Sequence, residues 1–305
     1  MTTTPKRLAV AINPSARFGA SRGVGPLVVE RLGAAGHEVT ALLEADFATL
    51  QARASEVVAG RPDALILVGG DGMINLGTNL VAGTGVPLGI IPSGTGNDMA
   101  RSLGIPIENA EAAIAALLAA LELPPRVIDA VRVRDDAGNT RWYGCMLSAG
   151  FDSLVNERAN RMRRPRGKSR YTIAMLLELA TLEPLSYRIT LDGEVLETRG
   201  LLVSVGNGVS LGGGMKVTPD ALLDDGLVDV LVVGAMTRRR FLSIYPRVFA
   251  GTHVREPEVS IHRARTVRLE AEGVVAYTDG ERFSPLPVDI VVEPGALAVY
   301  APPRA

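Results

Sequence analysis

The chain is poor in cysteine: Cys145 is the only one in 305 residues. A lone thiol excludes an internal disulfide and any multi-cysteine zinc or iron–sulfur site, and it fits a reducing compartment. An excess of charge of either sign is also missing. Lys and Arg number 32 against 33 Asp and Glu, a formal net charge of -1. That balance argues against a general nucleic-acid binder, so no nucleic acid is expected as a partner. Histidine is scarce, and His37, His253 and His262 show no ligand spacing. No segment approaches the ~18 uninterrupted apolar residues that a membrane span needs. The longest candidate, 171–182, is broken by Glu178. The opening MTTTPKRLAVAIN starts like a signal peptide, but its apolar stretch at 8–12 is too short and Asn13 ends it. These absences predict a soluble, cytoplasmic protein.

What the chain does have is apolar residues at 47% against 21% charged, which excludes a disordered chain. At this length single cores split, so two domains are expected. Residues 1–125 alternate short apolar runs (8–12, 39–43, 64–68, 87–91) with helix-like stretches (25–35, 46–59, 72–82). Near-continuous β-branched runs separated by helices indicate a parallel sheet covered on both faces. Two more helical stretches follow at 97–103 and 109–121. After Leu123-Pro124-Pro125 the texture changes. Residues 126–305 read mainly as strands at 127–133, 141–147, 186–191, 195–205, 228–233, 267–271, 274–277 and 288–292. Asp-Gly and Asn-Gly pairs between them are hairpin chemistry. Helical stretches at 152–162, 169–181 and 238–250 interrupt the strands. The fold class is therefore an α/β N-terminal domain with a parallel sheet plus a mainly antiparallel β C-terminal domain.

The strongest local feature is the run 64–68 entering Gly69-Gly70-Asp71-Gly72 and then a helix from Met73. A glycine-rich turn between strand and helix exposes backbone N–H groups at a positive helix end, a ready cradle for an anion. Asp71 inside it is repulsive to a phosphate unless a metal lies between them or a substrate proton must be taken. The next strand runs into Pro92-Ser93-Gly94-Thr95-Gly96-Asn97-Asp98, again opening a helix, and the first strand ends in Asn13-Pro14-Ser15-Ala16-Arg17-Phe18-Gly19. Parallel strands put such turns on one edge of the sheet, where ligands bind in open α/β folds. The stretch 162–169 ends like a P-loop, but methionine replaces its first glycine and no strand precedes it. No GxGxxG occurs.

Gly69-Gly-Asp-Gly72 with Ile74-Asn75, and Gly94-Thr-Gly-Asn-Asp98 with Ala100-Arg101, resemble the diacylglycerol kinase catalytic domain. That superfamily includes sphingosine and ceramide kinases and, more distantly, NAD kinases. The resemblance extends over nearly the whole chain. Asn13-Pro14 matches the family's first nucleotide loop and Tyr277-Thr-Asp279-Gly-Glu281 its C-terminal catalytic turn. The stretch 150–162 looks most like soluble bacterial diacylglycerol kinases. The resemblance implies a nucleotide-binding domain over 1–125, a lipid-substrate domain over 126–305, and transfer of the γ-phosphate of ATP to diacylglycerol. It implies that the loop at Asn13 and Pro14, the backbone amides of Gly69, Gly70, Asp71, Gly72, Met73, Ile74 and Asn75, and the Thr95 hydroxyl hold the triphosphate. It implies that Asp71, Asp98 and Asp129 organise water around a catalytic Mg²⁺, with Asp71 and Glu281 as the catalytic pair. A second Mg²⁺ is implied at Asp225 and the carbonyls of Leu222 and Leu227, although Asp-Asp-Gly is by itself an ordinary turn. Two departures stand out: the family's threonine after GGDG is Met73 here, and a threonine often found near Glu44 is absent.

Asp-Gly-Glu occurs twice, at 192–194 and 279–281, and both copies read as hairpin turns. The resemblance assigns the general base to Glu281 and leaves Glu194 as a surface turn. Arg161, Arg163, Arg164, Arg166, Lys168 and Arg170 form a basic run with no acidic residue among them. Such a run is a solvated loop or a contact to anionic headgroups at the inner membrane surface, where a lipid substrate would be met. Another lipid alcohol such as sphingosine or ceramide, or lipid and nucleotide binding without transfer, stays open as an alternative. A homodimer stays open as well.

Overall fold

In the computed structural model, residues 4–14, 23–162 and 168–304 are described. The chain divides into two compact units, residues 1–130 with 294–305 and residues 131–293.

The first unit follows the order β1 (Arg7–Ile12), α1 (Val24–Ala34), β2 (Glu38–Leu42), α2 (Phe47–Ala59), β3 (Ala64–Gly69), α3 (Asp71–Val81), β4 (Leu88–Pro92), α4 (Asp98–Ser102), α5 (Ala110–Leu121). Every residue of β3 and β4 is buried, as expected for strands covered on both faces. β1 pairs in parallel with β2 on one side and β3 on the other, and β3 pairs in parallel with β4. The strand order therefore reverses between β1 and β3, which opens a crevice at the carboxyl ends of those strands. Helix starts are set locally: the Asp46 carboxylate accepts the Thr49 N–H (2.9 Å) ahead of α2, and Asn109 accepts two N–H groups ahead of α5.

The second unit starts within β5 (Arg126–Asp135) and contains β6 (Thr140–Tyr143), β7 (Met146–Gly150), α6 (Phe151–Arg161), α7 (Lys168–Ala180), β8 (Leu185–Leu191), β9 (Glu194–Gly206), β10 (Val228–Gly234), α8 (Arg238–Ile244), β11 (Val259–Ala264), β12 (Thr266–Glu270), β13 (Val275–Thr278), β14 (Glu281–Pro285) and most of β15 (Val288–Tyr300). Its strand pairs are antiparallel, in the order β14-β13-β7-β9-β8-β12-β15, with β10 on β9 and β11 on β10. Tyr143, Leu147, Ile189, Val203, Val230, Leu269 and Ile290 lie at its core.

Several elements differ from the sequence reading. The expected strand at 141–147 is two strands, because the N–H groups of residues 144–146 turn to a carboxylate. The helix expected at 238–250 ends at Ile244 and continues as a 3₁₀ segment with Pro246 in its first turn, where a missing N–H is tolerated. β11, β14 and the end of β15 are strands outside the expected runs. The domain division differs accordingly from two consecutive stretches at 1–125 and 126–305. Residues 294–305 rejoin the first unit, where Val299 and Tyr300 pair in parallel with Leu88 and Gly89.

That returning strand buries Leu297 to 1% exposure. Leu297→Ala should cost ~2–5 kcal/mol, the usual range for a core leucine, read by urea unfolding at neutral pH.

Candidate active site

The two glycine-rich turns of the first unit sit at neighbouring strand ends. The Ser93 N–H donates to the Gly69 carbonyl (2.9 Å) and the Asn13 N–H to that of Val68 (3.0 Å), so the ladder extends to the roots of all three loops. In the first turn of α3 the N–H groups of Met73 and Ile74 both reach the Gly70 carbonyl (2.9 and 3.2 Å). Their side chains are buried, and Met73 lies under Gly69 so tightly that a Cβ there would stand 2.3 Å from the Met73 Cγ. The Met73 and Ile74 side chains are thus core, and the backbone N–H groups expected to hold a phosphate are at these two residues directed to the Gly70 carbonyl. Asn75 is buried too, with its Nδ2 unpartnered among the described residues. The Asp71 and Gly72 N–H groups are the ones that a helix start leaves without an intrahelical acceptor, at the positive end of the dipole. Of the loop after β1, Asn13 and Pro14 are described and half-buried, and Ser15, Ala16, Arg17, Phe18 and Gly19 lie outside the described residues.

Asp71 joins the turns. Its Oδ2 accepts the Asn97 N–H (3.0 Å) and its Oδ1 the Asp98 N–H (2.9 Å). Asn97 adopts the left-handed conformation, φ 55°, and its side chain closes the second turn by accepting the Gly94 N–H and donating to the Gly94 carbonyl. The backbones then touch: a Cβ on Gly94 would lie 2.4 Å from the Gly70 Cα, so glycine is required at that approach. A Cβ on Gly96 would lie 2.2 Å from Asp71 Oδ2 and 3.4 Å from Asp98 Oδ2. Two carboxylates therefore crowd around one glycine. Burial raises the Asp71 carboxyl above its ordinary range and the charge of Asp98 adds to this, against the lowering effect of the N–H groups of Asp98 and Asn97. A crowded acidic pair is an oxygen donor set that suits a hydrated Mg²⁺, and the helix start beside it suits an anion. Thr95 is exposed on the same turn. Asp129 is buried, and its Oδ1 accepts the Gly295 N–H (2.9 Å), so one of its oxygens anchors the chain where β15 re-enters the unit.

In the second unit both Asp-Gly-Glu copies are two-residue hairpin turns with positive φ at Asp and Gly. Each aspartate pins a neighbouring strand. The Asp279 carboxylate accepts the N–H groups of Gly144, Cys145 and Met146 at 2.9–3.0 Å. Asp192 does the same for Arg265 and Thr266. Glu281 and Glu194 are both exposed. Local geometry does not rank them.

The loop expected to hold a second Mg²⁺ carries a different cation. Asp225 Oδ2 is ion-paired with the Arg263 guanidinium, and its Oδ1 accepts the Leu227 N–H (3.1 Å). The same guanidinium reaches Asp229 (3.7 Å). Both Asp225 oxygens are engaged here, so a Mg²⁺ on Asp225 and the carbonyls of Leu222 and Leu227 would have to displace the Arg263 guanidinium. No cluster of three or more metal-ligating side chains occurs among the described residues.

Comparison with known proteins accounts for both units. The diacylglycerol kinase catalytic domain matches residues 7–132, and the YegS C-terminal NAD kinase beta sandwich-like domain matches residues 145–301. A diacylglycerol kinase of Mycobacterium tuberculosis is 40% identical over 297 residues, covering 97% of this chain and 95% of that one. The chain belongs to the diacylglycerol kinase family. A diacylglycerol kinase of Staphylococcus carnosus is 27% identical over 97% and 95% of the two chains, and a YegS-like lipid kinase of Stenotrophomonas maltophilia is 30% identical over 81% and 82%. A crystal structure of a diacylglycerol kinase from Bacillus anthracis str. Sterne has the same fold, TM-score 0.71 at 23% identity over 98% and 97% of the chains. A second structure from that organism reaches TM-score 0.75 at 25% identity over the same shares. The protein is a lipid kinase, and membership of a kinase family implies ATP as its phosphate donor. No helix among the described residues is long and apolar enough to cross a membrane.

Two residues that the sequence did not single out matter to this unit of the lipid kinase. Glu157 on α6 gathers the Tyr277 hydroxyl and the Arg282 guanidinium, each at 2.8 Å. Asp152, in the first turn of α6, has its carboxyl raised to about 6 by burial. No spacing rule announces either, because their partners lie far along the chain. A raised native pKa penalises the ionised form, so the stability present below the unfolded value near 3.8 is lost as pH rises through about 6. Asp152→Asn should therefore gain on the wild type between pH 4 and 7, by ~1–3 kcal/mol at the upper end, in urea unfolding at stepped pH.

Proposed function

We propose that this lipid kinase phosphorylates the hydroxyl of diacylglycerol and yields phosphatidic acid. The observation that carries the reading is Asp71, whose carboxylate ties two glycine-rich turns together beside a second carboxylate, Asp98. That is the arrangement phosphoryl transfer asks for, in which positioning and charge neutralisation do most of the work. The 40% identical relative named diacylglycerol kinase supports the choice of acceptor.

In this reading the N–H groups of Asp71 and Gly72, with Asn13, Pro14, Gly69, Gly70 and the Thr95 hydroxyl, cradle the triphosphate of ATP. Asp71, Asp98 and Asp129 would hold the water shell of a Mg²⁺, which supplies charge neutralisation when bound. Glu281 accepts the proton of the lipid hydroxyl. Residues 131–293 present the lipid, and the protein works from the cytoplasm at an anionic membrane surface, met by the basic run. Arg163, Arg164 and Arg166 of that run lie outside the described residues, and Arg161 is exposed. Met73, whose sulfur chain is packed in the core, gives no support to a protein that has lost transfer. The YegS-like relative, named as a lipid kinase, favours a second reading in which the acceptor is another lipid alcohol.

Purified protein incubated with γ-labelled ATP and a panel of diacylglycerol, sphingosine and ceramide decides the acceptor. Label is expected in phosphatidic acid. Label in a sphingoid product moves the substrate, and label in none of the lipids sinks the reading. In the same assay Asp71→Asn should be inactive and Glu281→Gln should lose ~10²–10⁴-fold in turnover with nucleotide affinity nearly unchanged. Glu194→Gln should keep its activity and lie within ~0.5 kcal/mol of wild-type stability.

The membrane reading is checked separately. Neutralising Arg163, Arg164 and Arg166 together should weaken binding to vesicles rich in anionic lipid. The deficit should shrink as salt rises, because exposed charges are screened within ~10 Å at 0.1 M. Equal binding of mutant and wild type at low salt would leave the run a solvated loop.

A further inference from the structure

We infer that Glu157 is a positioning residue for the catalytic turn at 279–281, acting through Tyr277 and Arg282. The inference rests on the reading of Glu281 as the proton acceptor and extends it to a residue on another element.

The turn is held from two directions. On one side the Asp279 carboxylate takes three N–H groups at the break between β6 and β7, which fixes the backbone of the turn itself. On the other, a single carboxylate oxygen gathers both strands of the hairpin. Glu157 Oε1 accepts from the Tyr277 hydroxyl on β13 and from the Arg282 Nε on β14, both at 2.8 Å. Tyr277 and Arg282 are register partners, one step from the Thr278–Glu281 pair that closes the turn. Side chains alternate along a strand, so Tyr277 and Arg282 share the face toward α6 while Glu281 is on the other. The tie to α6 is therefore made through the immediate neighbours of Glu281 without using Glu281.

The remaining charges around Glu157 are placed to keep it ionised. Arg161, one helical turn on, reaches its Oε2 at 3.0 Å, and the adjacent Arg158 is itself ion-paired with Glu178 on α7. Burial alone would raise the Glu157 carboxyl. The bonds from Tyr277 and Arg282 and the charges of Arg282 and Arg161 outweigh this and hold it below the ordinary glutamate range. An ionised acceptor makes both ties charge-assisted, the stronger kind of hydrogen bond. Tyr277 is 1% exposed, so its hydroxyl has no freedom to find water instead. Among the described residues no helix carboxylate ties the equivalent hairpin at 192–194, which has the aspartate staple alone and carries no proposed chemistry.

The test is steady-state kinetics of Glu157→Gln on the full chain, with ATP and diacylglycerol varied separately and thermal melting run alongside. A turn displaced by about an ångström can cost ~10²-fold, so kcat should fall by ~10–100-fold. The KM for ATP and the melting temperature should stay close to wild type. Adding Arg282→Gln to Glu157→Gln should cost little more, because both remove the same tie. Unchanged kcat overturns the inference. So does a loss of kcat that comes with a higher KM for ATP and a lower melting temperature, which would make Glu157 a strut of the fold. If Glu157→Gln does not fold, Arg282→Gln, altering a half-exposed side chain, is judged by the same criteria. Glu281→Gln runs in parallel: if it keeps full turnover, the proton-acceptor reading itself has failed and this inference falls with it. A dead Glu281→Gln beside a fully active Glu157→Gln overturns only the positioning role.

Discussion

One half-buried carboxylate organises the glycine-rich edge of the first unit. Asp71 spends both of its oxygens on the N–H groups of Asn97 and Asp98, and those bonds draw the turn after β4 onto the turn after β3. Everything distinctive about the two turns follows from that closure. The backbones meet at Gly70 and Gly94, where no side chain fits, and Gly96 must be bare because the carboxylate lies against it. Asn97 takes a left-handed conformation so that its amide can close the second turn. The cost is a half-buried negative charge with a second one beside it, and burial and repulsion both push the proton affinity of Asp71 upward. A cation held there, as proposed, would offset that cost.

The second unit uses the aspartate differently. Asp192 and Asp279 each occupy the first position of a tight turn and reach sideways to the N–H groups of a neighbouring strand. At 279 this interrupts a neighbour. The amides of residues 144–146 point to the carboxylate, so β6 ends at Tyr143 and β7 begins at Met146. Asp225 shows a third use, as half of an internal ion pair with Arg263 that closes its own loop. Two of these Asp-Gly turns thus staple a neighbouring strand and the third closes an ion pair, and what separates them is the partner.

That is also where the sequence stops being readable. The parallel sheet and its turns were legible because burial on both faces leaves near-continuous apolar runs, and glycine clusters mark their ends. Met73 shows the limit: its neighbours suggested a phosphate-facing position, yet the helical period turns its side chain into the core under Gly69. The break at residues 144–145 was invisible because the carboxylate that causes it is far along the chain. β11 escaped notice because its middle residues, Ile261, His262 and Arg263, are not buried and give no clean alternation. The end of β15 was lost because Pro294-Gly295 reads as a terminator, whereas Gly295 is accommodated at φ 68° with its N–H on Asp129. The pairing of Asp225 with Arg263 had no local signature at all.

The return of β15 reaches beyond stability. The parallel sheet of the first unit gains a strand that lies roughly two hundred residues downstream of its partner β4. During synthesis, β1 to β4 emerge well before Leu297 and Val299, at ~5–20 residues per second, so the edge of β4 is exposed for on the order of ten seconds or more. An exposed parallel edge is a template for pairing with the wrong chain. The first unit therefore cannot finish folding ahead of the second. Its last strand arrives only after the other unit has been made, and that order of events ties the two units together in time whatever their arrangement in space.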